Sequence, residues 1–193
     1  MKLEVLTGAA IEHAIPALAR LRIAVFAEWP YLYSGDLAYE EDYLRAFAAA
    51  PDAVLVTACE RDQIVGASTA SPLVAQESEI REPVAAYGLD PEEIFYFGES
   101  VLLPEYRGRG LGHAFFDHRE AHARASEAKF SMFAGVIRPQ DHPAKPQGYR
   151  PLDAFWRGRS YEKVEGLTCQ IAWQDHGEDA ETPKPLQFWM REL

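Results

Sequence analysis

Apolar residues alternate from Lys2 to Leu6, which predicts a first strand. From Ile11 to Phe26 the pattern changes. Ile15, Leu18, Leu21, Ile23, Val25 and Phe26 recur at close to helical spacing, with Pro16 early in the run. An aromatic loop, Glu28 to Asp36, then leads into a second helix from about Leu37 to Ala50, on which Tyr39, Tyr43, Leu44 and Phe47 share a face. Ala53 to Glu60 and Gln63 to Ser71 are two strands joined by the polar pair Arg61 and Asp62, a hairpin. Val74 to Asp90, with its acids and Pro83, predicts a helical insertion on the surface. Ile94 to Leu103 is again a strand, marked by Phe95, Phe97 and Val101.

The second half follows the same logic. A helix starts at Gly110 and shows a stripe of Leu111, Phe115, His118, His122 and Ala125. Lys129 to Ile137 is a strand. The polar, proline-broken stretch from Arg138 to Arg150 is a loop long enough to suspect a role in a site. Pro151 suits the first position of a short helix running to Arg159. Leu167, Cys169, Ile171 and Trp173 alternate as one strand face, and Leu186, Phe188 and Met190 as another. No repeat or linker interrupts the order, so residues 1–193 are expected to form a single α/β domain with about seven strands.

Composition narrows the function classes. With 48% apolar and 25% charged residues the chain is ordinary globular material, and no apolar run has the length of a membrane span. The first residues lack the apolar centre of a signal peptide, so a cytoplasmic protein is expected. A net charge of −11 disfavours nucleic acid as a partner, because phosphate is repelled at long range. Cys59 and Cys169 each lie in an apolar run and read as buried thiols, not as a metal or redox pair. His118 and His122 have the spacing of a metal pair, but no glutamate follows the first directly and both lie on the helix stripe; packing is expected and no metal.

The most informative stretch is Glu99 to His113, a strand, a loop rich in glycine and arginine, and a helix start. Successive backbone N–H groups in such a loop, with the first turn of the following helix, can converge on a phosphate. Gly108, Gly110 and Gly112 allow backbone angles closed to other residues, and Arg107 and Arg109 add charge. A Walker loop would need a lysine and a hydroxyl residue where Leu111, Gly112 and His113 stand, and a dinucleotide fingerprint needs a wider glycine spacing.

Arg107, Gly108, Arg109, Gly110, Leu111 and Gly112 closely resemble the pyrophosphate-binding motif of the GNAT superfamily of acyl-CoA-dependent N-acyltransferases, in which Arg or Gln is followed by two residues, Gly, one residue, and Gly or Ala. Pro104, Glu105, Tyr106 and the apolar strand before them also look like that family. The resemblance covers nearly the whole chain and implies a mixed, twisted sheet with helices on both faces. In it the strand before the loop and the strand after its helix splay apart to admit acetyl-CoA as co-substrate.

Carried over residue by residue, the resemblance implies that Val101, Leu102 and Leu103 line the pantetheine arm, with the Leu102 N–H polarising the thioester carbonyl. It places the pyrophosphate on Arg107 through His113, where the His113 N–H is the expected contact. Glu99 matches a position where many members carry a glutamate that takes the proton of the amine, directly or through water. A partly apolar setting among Phe95, Phe97 and Val101 would favour that role, and a sheet-edge or solvated glutamate is the competing reading. The tyrosine that commonly acts as general acid is missing: Phe155 or Trp156 holds its place, Tyr161 is expected to pack, and Tyr149 is the substitute. Tyr31, Tyr33 and Asp36 fall where the family shapes its acceptor pocket, and rings beside a carboxylate suit an ammonium. His142 is a further candidate on the long loop. The implied partner is a small-molecule or peptide amine, and oligomeric state is left open, a homodimer included. A non-catalytic acyl-CoA-binding or sensing module of the same fold is the alternative.

Overall fold

Every predicted element is present in the computed structural model, which describes residues 1–193. In chain order they are β1 (Lys2–Thr7), α1 (Ala9–Phe26), α2 (Leu37–Ala49), β2 (Val54–Glu60), β3 (Gln63–Pro72) and α3 (Ser78–Tyr87). There follow β4 (Ile94–Leu102), α4 (Leu111–Ala125), β5 (Phe130–Val136), α5 (Asp153–Gly158), β6 (Glu162–Trp173) and β7 (Thr182–Glu192). The seven strands form one sheet in the order β1-β2-β3-β4-β5-β7-β6. All neighbours are antiparallel except β4 and β5, whose parallel pairing needs a crossover that α4 supplies.

Strand alternation divides the apolar residues between two faces. On one, Ile11, Ile15 and Leu18 of α1 and Leu44 of α2 pack with Leu55, Ala67 and Val101 of β2, β3 and β4. On the same face Ile80 and Val84 of α3 cover Ile94, Tyr96, Met132 and Phe188. On the other face α4 and α5 cover Phe95, Phe97, Phe133 and Trp189. No helix is long and apolar enough to cross a membrane.

Three details differ from the pattern. The strand expected from Leu167 begins at Glu162; its first residues are polar and a register shift separates Lys163 from Thr168, so alternation is lost there. Pro151 precedes α5 instead of opening it, with Leu152 at the N-cap. The buried face of α4 is Leu111, Phe115, Phe116, Arg119, Glu120 and Ala123, while His118 and His122 sit at its margin.

One irregularity governs what lies beside the sheet's centre. Ser68 pairs with Ser100 and Ala70 with Phe97, so Gly98 and Glu99 of β4 together oppose Thr69 of β3. The extra residue is a β-bulge, and it reverses which parity of residue faces which side. Phe95 and Phe97 point to α4, whereas Val101 points to α1.

Candidate active site

The ladder between β4 and β5 consists of Ile94 with Phe130, Phe95 with Ser131 and Tyr96 with Met132, and then ends, although both strands continue. Beyond it the two strands splay. Leu103 donates its N–H to the Val65 carbonyl at 3.0 Å. The preceding Leu102 therefore turns its own N–H and carbonyl away from β3, toward the splay. The carbonyl accepts Nε of Arg107 at 3.0 Å. The N–H is left for a ligand.

At the end of β4 the motif loop forms as its composition suggests. Gly108 and Gly110 take φ of 74° and 82°, in the left-handed region, where an added Cβ would meet no neighbour, so backbone angle and not space demands glycine at both. The N–H groups of Gly108 through His113 bond to no backbone or side-chain acceptor, and no side chain caps α4. Six consecutive donors and the positive end of a helix of 15 residues are thus left without a partner, an arrangement that can receive a phosphate. Arg107 is turned back, pairing with Glu28 at 2.9 Å, and Arg109 donates to the Glu105 carbonyl at 2.7 Å over the Tyr106 ring. His113 accepts Arg159 Nη1 at 3.2 Å.

Glu99 lies in an ionic setting, not the apolar one expected among Phe95 and Phe97, because the bulge turns it to the opposite face. Its Oε2 is 2.7 Å from Nη1 of Arg22, and Arg22 Nε donates in turn to Glu40. All three side chains are at least nine-tenths buried. Arg22 is also held between the rings of Phe26 and Tyr43, at 5.0 and 4.6 Å. Its pKa is raised overall, the burial that lowers it being outweighed by Glu99, Tyr43 and Glu40. One guanidinium between two carboxylates leaves a formal charge of −1, and Oε1 of Glu99 has no partner. A buried, unpaired carboxylate oxygen invites a cationic donor.

The aromatic loop closes over this triad. Arg138 donates to the carbonyls of Pro30 and Tyr31 at 2.8 and 2.7 Å and grips Asp175 with two bonds, while Trp173 donates to the same Tyr31 carbonyl at 3.0 Å. The Tyr31 hydroxyl is pushed up to about 12, first by burial and then by Glu99, with Arg22 opposing and Tyr149 adding. Tyr149 and His142 of the long loop lie against the aromatic loop: their rings are 6.0 and 5.0 Å from that of Trp29. Tyr33 faces Glu40. Asp36 stands apart, because its carboxylate caps α2 by accepting the Tyr39 N–H at 2.9 Å.

The sequence did not single out Arg22, Glu40, Arg138 or Asp175. A signal existed for the first two: Arg22 continues the buried spacing of Ile11, Ile15 and Leu18, and Glu40 precedes buried Leu44 by one turn. Tyr161 is fully buried, its hydroxyl 2.7 Å from Ser131 Oγ and bonded to Glu120, and Phe155 packs on Gly112.

Comparison with known proteins bears on the family and the fold. The model of the acetyltransferase (GNAT) family matches residues 20–146, more than half of the sequence, and the chain belongs to that family. Among solved structures it resembles a ribosomal-protein-alanine N-acetyltransferase from Brucella melitensis, with TM-score 0.64 and 16% identity over all of both chains. It also resembles an N-acetyltransferase from Staphylococcus aureus, with TM-score 0.62 and 9% identity over 100% of this chain and 99% of that one. A putative acetyltransferase from Salmonella typhimurium, solved with its cofactor acetyl-CoA, gives TM-score 0.59 and 11% identity over 100% of this chain and 95% of the other. At these identities the likeness is one of fold. No curated protein matches the chain by sequence.

Proposed function

We propose that the protein moves an acetyl group from acetyl-CoA to a primary amine by direct attack within a ternary complex, in the cytoplasm. The observation that carries this reading is the ladder that stops after Tyr96 and Met132, with unpaired donors of Leu102 and of Gly108 to His113 at its open end. A thioester laid along Val101 to Leu103 would receive the Leu102 N–H at its carbonyl oxygen, where charge builds as the tetrahedral intermediate forms. The diphosphate would rest on the N–H row of the loop.

On the α1 face of β4, Glu99 Oε1 would take the ammonium of the acceptor, bringing the formal charge of the triad to zero. Tyr31, Tyr33, Trp29 and Tyr149 would wall the amine, and Asp36 would act on them only by fixing the start of α2. The amine must lose a proton before its nitrogen attacks; Glu99 receives it, directly or through water. The nitrogen–carbon bond forms, the carbon–sulfur bond breaks, and the departing thiolate takes a proton from Tyr149 or from water. Neither Cys59 nor Cys169 would carry an acyl group: Cys59 is next to last in β2, which β3 separates from β4, and Cys169 is buried under α3.

The test is an acetyl-CoA turnover screen over a panel of amines, following free thiol, on the native protein and on Glu99→Gln. A drop of about a hundredfold in turnover with acetyl-CoA binding retained is expected. Unchanged turnover would remove Glu99 from the chemistry. If no amine releases thiol while acetyl-CoA still binds, the protein is instead an acyl-CoA-binding module, a role consistent with Phe155 and Trp156 where the general acid is expected.

A further inference from the structure

The residue that decides where Glu99 points lies on the opposite face of the sheet. Arg119, on α4, is 1% exposed and has no carboxylate within ion-pair distance. Its nitrogens are directed at the bulge. Nη1 donates to the carbonyls of Thr69 and Glu99, each at 3.2 Å, Nη2 donates to Ser100 Oγ at 2.9 Å, and Nε to the Phe115 carbonyl at 3.3 Å. The rings of Phe97 and Phe116 lie against its guanidinium at 4.4 and 4.8 Å.

Thr69 completes the device. Its Oγ1 accepts the N–H of Glu99 at 3.1 Å. The same atom would stand 2.6 Å from a Cβ at position 98, which restricts that position to glycine. A bulge leaves backbone groups outside the regular ladder, and here Arg119 and Thr69 take up the carbonyl and the N–H of the bulged residue itself. Burying a cation without an anion is costly, and an aliphatic side chain would fill the same apolar site with no such penalty. The guanidinium is matched to the bulge, not to the core around it. Without the extra residue, strand alternation would put Glu99 on the side of Phe95 and Phe97, away from Arg22 and the aromatic pocket.

We propose that Arg119, with Thr69, is a positioning residue for catalysis: it fixes the Gly98–Glu99 bulge and so aims the Glu99 carboxylate at the acceptor amine. This rests on the role given to Glu99 above. Arg119 touches no substrate and acts only through that backbone.

A double-mutant cycle tests it, with kcat and both KM values measured for Arg119→Lys, Glu99→Gln and the pair, per mole of folded protein. Lysine keeps the charge but loses the planar fork whose two terminal nitrogens reach the bulge acceptors while Nε bonds the Phe115 carbonyl. Arg119→Lys is expected to lower kcat at least tenfold with the KM for acetyl-CoA changed less than threefold, and the pair is expected to be no slower than Glu99→Gln alone. Additive losses would show that Arg119 supports the fold generally, and would overturn the inference. If Glu99→Gln alone is as active as the native protein, the role of Glu99 fails first and this inference with it. Should Arg119→Lys not fold, Thr69→Val against Thr69→Ser asks the same question. The valine variant should lose kcat and be silent in the Glu99→Gln background, and the serine variant, which keeps the hydroxyl, should be restored; equal activity of the two would overturn the proposal.

Discussion

Tyr31 concentrates the electrostatics of the pocket in one hydroxyl. Unfolded, it would lose its proton near pH 10; folded, burial and the nearby Glu99 hold the proton to about 12. A group whose folded pKa is raised contributes stability that is fully present below the unfolded value and is lost as pH climbs through the folded one. Between pH 10 and 12 the protein should therefore lose about 2–3 kcal/mol through this residue. Urea denaturation at pH 9 and at pH 11.5 should show a smaller fall for Tyr31→Phe than for the native chain, and an identical fall would mean that folding does not hold the proton on Tyr31. At this scale the sequence singled out Glu99 but not its partners. Glu99 is legible because it precedes a motif that can be aligned, whereas Arg22 and Glu40 come from other elements and carry no motif. The environment expected for Glu99 was wrong for a local reason: one inserted residue in β4 reverses the parity on which the apolar setting had been argued.

Among the elements, α2 shows how a residue read as part of the site can serve it from a distance. Asp36 accepts the Tyr39 N–H and starts the helix that delivers Glu40 to Arg22 and Tyr43 to its ring contact. Removing an N-cap oxygen costs about 1 kcal/mol. Asp36→Ala should lower stability by about that amount, read as a shifted denaturation midpoint, while Asp36→Asn, which still caps, should leave it within about 0.5 kcal/mol. A large loss of amine affinity in both variants at unchanged stability would instead return Asp36 to the pocket as a direct ligand. Helices and strands were legible wherever one face was apolar over several turns or pairs, as in α1, α4, β2 and β3. The start of β6 was not, since polar residues and a bulge remove the alternation. The face of α4 was misjudged where Arg119 and Glu120 are buried, because a periodicity of apolar residues cannot register a charged side chain turned inward to bond.

For the whole molecule, the splay between β4 and β5 divides the sheet into an antiparallel part that is complete and an opening held by only three pairs. Every other neighbouring pair of strands is bonded over a longer register, and helices cover both faces, so the opening is the place inside the sheet where backbone donors are left without a partner. A ligand that binds the folded state alone stabilises it by RT ln(1 + [L]/Kd), about 2.7 kcal/mol at a hundredfold excess over Kd. If that ligand is acetyl-CoA, the gain should appear as slowed amide exchange concentrated at Leu102 and from Gly108 to His113. The amides of β1 through β3, already paired, should change only through the global term. Gly110→Glu places a carboxylate and a strained φ at the centre of the donor row, and both the protection and the stabilisation should vanish. Protection that spared residues 108 to 113 while the protein was nonetheless stabilised would mean that acetyl-CoA binds elsewhere. The N–H row would then be a helix start and nothing more, and the roles argued for Leu102 and Glu99 would lose the geometry that joins them.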